Sequence, residues 1–125
     1  MIKAVEGILL GSSNARRLAK FYQEKVGLKI GQEFEMGEGN NLFIMGLKGS
    51  GLYLIDHKEV KGKNSQPARF ILNLEVDDIE KEVEKVEKAG VKKIQDIYHV
   101  EDYGKIATFE DIDGNYFQFV QTRAK

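Results

Sequence analysis

Apolar and polar residues follow two different periods in the first half of the chain. Residues 5–10 are mostly apolar, with Glu6 as the one charged residue, and begin with a β-branched residue, which predicts a strand. Leu18, Tyr22 and Val26 then recur at a spacing of four, which predicts a helix over residues 14–26 with one buried face. Glycine-rich turns separate three more predicted strands, at residues 28–34, 41–46 and 51–56.

The second half repeats this order of elements. Residues 70–76 predict a strand, and Asp77 is expected to cap a helix in a capping-box-like pair with Glu80. The buried stripe of that helix is Ile79, Val83 and Val86, and three strands follow it at residues 91–97, 105–109 and 115–121.

The expected helix ends recur at one offset along the chain. Asp77 follows Asn14, and Gly90 follows Gly27, by the same number of residues. Asn14 suits a helix N-cap, and the two glycines can take the left-handed conformation that ends a helix. An internal duplication would produce this offset.

A strand, a helix and three strands, written twice, predict an α+β fold. We expect two βαβββ repeats forming a cupped mixed sheet with a central concavity, and we expect function to lie in that concavity. A single domain is expected over residues 1–125, with repeat halves at about 1–60 and 66–125. The joint between them, residues 57–67, is polar and contains the only proline.

Composition narrows the classes of partner. The chain has 19 Lys and Arg against 20 Asp and Glu, so no net field attracts a polyanion and nucleic acid is not an expected partner. It has no Cys, which excludes disulfides, thiolate metal ligands and cysteine nucleophiles. The sequence lacks a long apolar run, so we expect no membrane span or signal peptide and a cytoplasmic location.

Three short motifs occur in order across nearly the whole chain. They read FY at residues 21–22 with VGL at 26–28, VDD at 76–78, and EDIDGNY at 110–116. They resemble the FY…LG, VDD and DPDGN-type motifs of the glyoxalase, bleomycin-resistance and extradiol-dioxygenase superfamily, also called vicinal oxygen chelate. Ile112 stands where that family usually has proline, and most residues fit such a turn position. The resemblance implies the duplicated fold and a homodimer, but the motifs themselves carry no chemistry.

The resemblance also implies where a metal would bind. Enzymes of the superfamily usually hold one divalent cation through His, Glu or Gln, and the corresponding positions fall near Gly7, Leu54, Ile71 and Gln118. Only Gln118 can donate an electron pair, whereas three or four donors are normal for such a site. We therefore expect no metal and no other cofactor.

A divalent metal remains the alternative. A one-residue slip of the first strand would bring Glu6 to a ligand position beside Gln118, although the slip would also turn the rest of that strand to the opposite face. The two histidines, His57 and His99, fall at the joint and at a loop edge, where surface roles are common.

A mixed pocket is expected in place of the metal. Strand alternation, together with the family positions, assigns to it an apolar wall and a few polar groups that could orient a small molecule, namely Leu54, Ile71, Asn73, Tyr116 and Gln118. The pairs Tyr98-His99 and Tyr103-Gly104 resemble the aromatic-glycine lip of relatives, where an aromatic side chain could stack on a flat ligand; Tyr103 could instead cover a sheet edge. Glu75 is a candidate general base if it is buried, and otherwise an ordinary strand-end carboxylate.

Three functions follow from these expectations. The first is a metal-independent small-molecule binding protein of the glyoxalase/bleomycin-resistance type that holds an apolar or aromatic ligand. The second is a metal-dependent lyase or dioxygenase of the same superfamily. The third is a regulatory or assembly role in which the sheets serve as a dimer surface. The sequence leaves open whether the protein is catalytic.

Overall fold

The chain forms two compact units, Met1–Gly62 and Lys63–Lys125. The structure is a computed structural model, and it describes residues 1–37 and 39–123. Each unit holds one four-stranded sheet and one α-helix. This arrangement confirms the α+β class and the two βαβββ repeats.

In the first unit, a parallel pair of strands brings the ends of the repeat together. The sheet order is β1-β4-β3-β2, in which β1 runs parallel to β4 and the other pairs are antiparallel. A π-helical turn, Tyr22–Val26, continues the helix. The elements are β1 (Gly7–Ser12), α1 (Ala15–Phe21), β2 (Ile30–Glu35), β3 (Asn41–Met45) and β4 (Gly51–Asp56).

The second unit has the same order and pairing. Its sheet is arranged β5-β8-β7-β6, with β5 parallel to β8. A short 3₁₀ turn, Pro67–Arg69, lies in the segment that the sequence pattern leaves without an element. The elements are β5 (Ile71–Glu75), α2 (Ile79–Lys88), β6 (Lys92–Val100), β7 (Gly104–Glu110) and β8 (Tyr116–Thr122).

One face of each sheet is buried beneath its own helix. In the second unit, Phe109, Phe117 and Phe119 form a cluster with ring centroids 5.8–5.9 Å apart, and all three are buried. Ile79 and Val83 of α2 are also buried, and α2 contacts β7 and β8, the strands that carry these rings. Burial of these large apolar side chains is the main stabilising contribution within the unit.

The first helix does not stay α-helical to its end. The backbone N–H of Gly27 donates to the carbonyl of Tyr22 at 2.9 Å, which is the i to i+5 bond of a π turn. Gly27 then ends the helix in the left-handed region, with φ of 97°. The predicted terminator is therefore in place, but the predicted helix of residues 14–26 is an α-helix that widens in its last turn.

The second helix is capped by Asp78 and not by Asp77, so that prediction was wrong. The Asp78 carboxylate accepts the backbone N–H of Lys81 at 3.2 Å, as an N-cap side chain does three residues ahead. This start places Glu80 one residue too early for a capping box. Glu80 instead accepts a hydrogen bond from the Lys105 ammonium at 2.8 Å, which lowers the pKa of Glu80.

The EDIDGNY segment forms a turn that holds β7 to β8. The buried carboxylate of Asp111 accepts the backbone N–H groups of Asp113 and Asn115, both at 2.9 Å. Gly114, with φ of 81°, takes the left-handed position of the turn. The motif thus orders the backbone of the turn, as its sequence predicts.

None of the helices in the described part of the chain has the length and apolar character needed to cross a membrane.

Candidate functional site

The face of the second sheet that lies opposite its aromatic core collects most of the predicted ligand-binding residues. On β5, Ile71, Asn73 and Glu75 are exposed, whereas Leu74, between Asn73 and Glu75, is buried. Ile71 pairs with Tyr116, and Asn73 pairs with Gln118, on the neighbouring strand β8. Paired residues of adjacent strands point to one face, so these four side chains share a surface. We call it the exposed face of the second sheet.

A pocket of about 370 Å³ opens on this face. Two tyrosines and two isoleucines give it aromatic and aliphatic walls, and Thr108 and Gln95 supply polar groups. The lining residues are Ala68, Ile71, Ile94, Gln95, Tyr98, Thr108 and Tyr116. Its size and mixed lining are typical of a site for a small organic molecule.

A second depression of about 400 Å³ adjoins the pocket and shares Ala68 and Tyr116 with it. The 3₁₀ turn lines the depression with Pro67 and Arg69. Arg69 is occupied locally, because its guanidinium donates to the side-chain carbonyl of Gln66. Tyr116 therefore stands between two openings and is accessible from both.

Three polar side chains beside the pocket are joined in one directed chain of hydrogen bonds. The Thr108 hydroxyl donates to Oε1 of Gln118 at 3.0 Å, and Nε2 of Gln118 donates to Oδ1 of Asn73 at 2.9 Å. Thr108 is only 7% exposed, so the chain is anchored at its buried end. The anchor gives the two amides a defined orientation at the surface.

Sequence reasoning missed several residues of this site, above all Thr108, although it placed Tyr98 with Tyr103 in the aromatic-glycine lip. Thr108 lies on β7, which pairs with β8, and Tyr98 lies on β6, which pairs with β7. Both contribute to the pocket only because the sheet order puts β7 and β6 on this side of β8. Alternation along β7, where Thr108 stands between buried Ala107 and Phe109, is the signal that could have identified Thr108.

The prediction that Leu54 lines the pocket is not supported by its position. Leu54 is 0% exposed and lies in the core of the first unit, on the same face as Phe43, with which it pairs. The exposed side of β4 instead carries Tyr53, which pairs with exposed Leu9 of β1. The assignment taken from the family positions was therefore one residue away from the accessible face, and one residue inverts a strand.

Tyr103 is 42% exposed and lies in the tight turn that joins β6 to β7. Its backbone N–H donates to the carbonyl of Val100 at 3.0 Å, and its carbonyl accepts the N–H of Arg123 at 2.9 Å. Neither opening on the exposed face of the second sheet includes it. Whether Tyr103 stacks on a ligand or covers a sheet edge stays a prediction.

The two candidate carboxylates are both at the surface. Glu75 is exposed and accepts a hydrogen bond from the Thr122 hydroxyl at 3.2 Å, so the burial on which its role as a base depends is absent. Glu6 is exposed in the first unit and accepts a hydrogen bond from the Tyr53 hydroxyl. That bond to Glu6 raises the pKa of Tyr53 above its ordinary value of 10.0.

The first unit has a larger and more polar cavity of about 990 Å³ at the end of β4. Its wall includes Asn14, Asn41, Asp56 and His57. The Asp56 carboxylate accepts the backbone N–H of Ala15 at 2.7 Å and that of Asn41 at 2.9 Å, together with the Asn41 side-chain amide. Burial opposes the ionisation of Asp56, but these hydrogen bonds outweigh it and lower its pKa. Asp56 thus serves the local structure, because both of its carboxylate oxygens already accept backbone hydrogen bonds.

Comparison with known proteins agrees with this architecture. Residues 5–119 match the sequence pattern of the Glyoxalase/Bleomycin resistance protein/Dioxygenase superfamily. The chain belongs to this superfamily. Among its relatives is the uncharacterized protein YetH of Bacillus subtilis (strain 168), which is 26% identical over 117 residues, covering 94% of this chain and 97% of YetH.

Solved structures of the superfamily fold include both binding proteins and enzymes. TnmS3, an antibiotic binding protein from Streptomyces sp. CB03234, has a TM-score of 0.77 and 23% identity over 98% of each chain. The trypanothione-dependent glyoxalase I of Leishmania major has a TM-score of 0.75 and 21% identity, covering 96% of this chain and 87% of that one. At these identities the likeness establishes the fold.

The divalent metal implied by the glyoxalase superfamily needs several oxygen or nitrogen donors at one point. Gln118, the one donor at a family ligand position, has its carbonyl oxygen engaged by Thr108 and neutral Asn73 as its other neighbour. Within residues 1–37 and 39–123, no three or more His, Asp or Glu side chains gather in a way that could hold a metal ion. The side chains around Gln118 do not fit a divalent cation.

Proposed function

We propose that this member of the glyoxalase superfamily binds a small apolar or aromatic molecule on the exposed face of the second sheet. The observation that carries the proposal is the pocket of about 370 Å³ between Ile71, Tyr98 and Tyr116, with the Thr108–Gln118–Asn73 chain beside it. Apolar walls supply affinity, and a few oriented polar groups supply specificity.

The aromatic side chains are accessible to a ligand before it arrives. Tyr98 is 42% exposed, and Ile71 is 39% exposed, so a bound molecule would remove apolar surface from water without opening the core. Burial of apolar area contributes about 25 cal/mol per Å². A flat ring would also gain from offset or edge contacts with the two tyrosines.

We further propose that binding does not require a divalent metal. The neutral amide and hydroxyl groups around Gln118 support this, because they can satisfy one another and an organic ligand without a cation. The antibiotic-binding function of TnmS3, a protein of the same fold, supports a binding role as well.

Titration with chromone, a flat neutral bicyclic ketone, tests the binding site. We expect shifts of backbone amide resonances in β5, β6 and β8, and loss of affinity in Tyr116→Ala. Tyr103→Ala is the matched control, because it removes an exposed tyrosine outside the pocket. Equal affinity of the two variants, or shifts confined to the first unit, would contradict the proposed site.

Metal analysis of the purified protein after dialysis tests the metal-independent reading. We expect far less than one equivalent of any divalent metal, and unchanged chromone binding after treatment with a chelator. One equivalent of tightly held metal that is lost in Gln118→Ala would overturn this part of the proposal.

We also propose that the protein forms a homodimer through the β1 edge of the first unit. β1 is an edge strand, and it leaves Leu9 58% exposed and Ile8 45% exposed. An apolar edge strand with unpaired backbone groups readily pairs with another chain. A second copy of this chain would pair with the backbone groups of the edge strand and cover its exposed apolar side chains.

A further inference from the structure

The direction of the hydrogen bonds on the exposed face determines which groups remain for a ligand. Thr108 donates to Gln118, and Gln118 donates to Asn73, so each amide carbonyl in the chain already accepts a bond. An amide side chain has two N–H donors and one carbonyl. Within the described residues, nothing accepts a hydrogen bond from the Asn73 amide nitrogen. This chain of hydrogen bonds therefore ends in the N–H donors of the Asn73 amide.

These donors lie next to the apolar pocket. Asn73 follows Ile71 by two residues on β5, so both side chains are on one face, and Ile71 lines the pocket. Gln118 stands across from Asn73 and two residues from Tyr116 on β8. A molecule seated on Ile71 and Tyr116 would reach the Asn73 amide at its edge.

We propose that the ligand of this site is a neutral, flat ring compound that presents a carbonyl oxygen to the Asn73 and Gln118 amide donors. The inference rests on the proposed binding function of this face and specifies its ligand class. A carbonyl oxygen accepts from N–H groups and cannot compete with them as a donor. A ligand hydroxyl or amine can also accept from these N–H groups, but its own hydrogens would have to share amide carbonyls that already accept a bond.

The charges on the same face favour a neutral acceptor over a carboxylate. Glu75 lies two residues beyond Asn73 on the same side of β5 and is exposed. Glu110 is on the same face of β7 as Thr108, and the Lys92 ammonium lies 3.8 Å from its carboxylate, so that cation is already paired. An anionic ligand group at Asn73 would meet the carboxylate of Glu75, and among the described residues the one cation that lines either opening, Arg69, lies in the adjoining depression beside Tyr116.

The tyrosines of the pocket do not discriminate between ligands that accept and ligands that donate a hydrogen bond. A phenol hydroxyl both donates and accepts, so Tyr98 and Tyr116 serve a ligand carbonyl or a ligand hydroxyl equally. Discrimination between acceptor and donor ligands therefore comes from the amides. A substitution of Asn73 can change this discrimination without altering the pocket wall, because Asn73 is not among the lining residues.

Four bicyclic probes of similar size test the inference by chemical-shift titration: chromone, naphthalene, 1-naphthol and 1-naphthoate. We expect chromone to bind about three- to tenfold more tightly than naphthalene, which is the range of one net hydrogen bond. In Asn73→Asp, which replaces the donor by an acceptor of the same shape, chromone should lose that advantage and naphthalene should bind as before. Asn40→Asp, a matched change in the first unit, should alter neither.

The outcomes separate the ligand class from the binding site. If chromone and naphthalene bind equally to the exposed face, or 1-naphthol or 1-naphthoate binds better than chromone, the ligand class is wrong and the binding site stands. If no probe shifts resonances on that face, the proposed function fails and the inference fails with it. The inference is supported if chromone loses its advantage over naphthalene in Asn73→Asp and keeps it in Asn40→Asp.

Discussion

The backbone N–H of Ala15 donates a 2.7 Å hydrogen bond to the side chain of Asp56, which ends the last strand of the first unit. The second unit repeats this contact between Ile79 and Gln121 at 2.8 Å. In both units, the first residue of the α-helix is held by a side chain near the end of the strand parallel to β1 or β5. The duplication thus extends to a hydrogen bond that different residue types make in each copy.

Removal of the Asp56 charge should destabilise the protein. In Asp56→Asn, one carboxylate oxygen becomes a donor that cannot accept the amides of Asn41, so we expect a loss of about 1–2 kcal/mol in the free energy of unfolding. Urea denaturation followed by circular dichroism measures it. Asp102→Asn is the control, because Asp102 is an exposed carboxylate paired only with Arg123; a loss as large in this control would assign the effect to charge alone.

The contribution of Asp56 should depend on pH. Hydrogen bonding outweighs burial and lowers its pKa in the folded state below the ordinary 3.8, so the unfolded chain binds the proton first as the pH falls. The stabilisation is therefore complete well above pH 3.8 and is lost as the pH falls through the folded pKa. The difference in unfolding free energy between the wild type and Asp56→Asn should narrow as the pH falls from 7 to 3. A constant difference between them would contradict this assignment.

Gly104 should tolerate no side chain. Its φ is 146°, and a Cβ there would overlap the backbone carbonyl of Gln121 on β8. Gly104→Ala must shift paired backbone, so we expect a loss of more than about 2 kcal/mol and a lower melting temperature. Gly62→Ala is the control, since Gly62 also has positive φ but nothing within 4 Å of the added Cβ. Comparable melting temperatures for the two variants would rule out the backbone overlap as the cause.

The β1 edge gives a prediction about assembly. Leu9→Lys places a charge on the exposed edge strand, and we expect it to convert a dimer to a monomer in light scattering coupled to size-exclusion chromatography. Leu47→Lys, at an exposed position outside the strands, should remain dimeric. A monomeric wild-type protein at micromolar concentration would exclude the proposed homodimer.

Local patterns in the sequence determined the order of the elements and the class of fold. Period-four apolar residues and left-handed glycines such as Gly27 act within one turn of the chain, so helices and their ends could be predicted from neighbours alone. These local patterns could not decide whether Asp77 or Asp78 caps the second helix. Either aspartate suits an N-cap, and the position of Ile79 against Gln121 of β8 selects one of them.

Only the tertiary structure decided which face of each strand is accessible. Alternation groups Leu52 with Leu54, and Tyr53 with Ile55, but it does not say which group α1 covers. The same limit hid the Thr108–Gln118–Asn73 chain, because its second bond joins residues 45 positions apart that meet only when β5 pairs with β8. Sequence periodicity reports which side chains share a side, whereas sheet order and helix packing determine what that side meets.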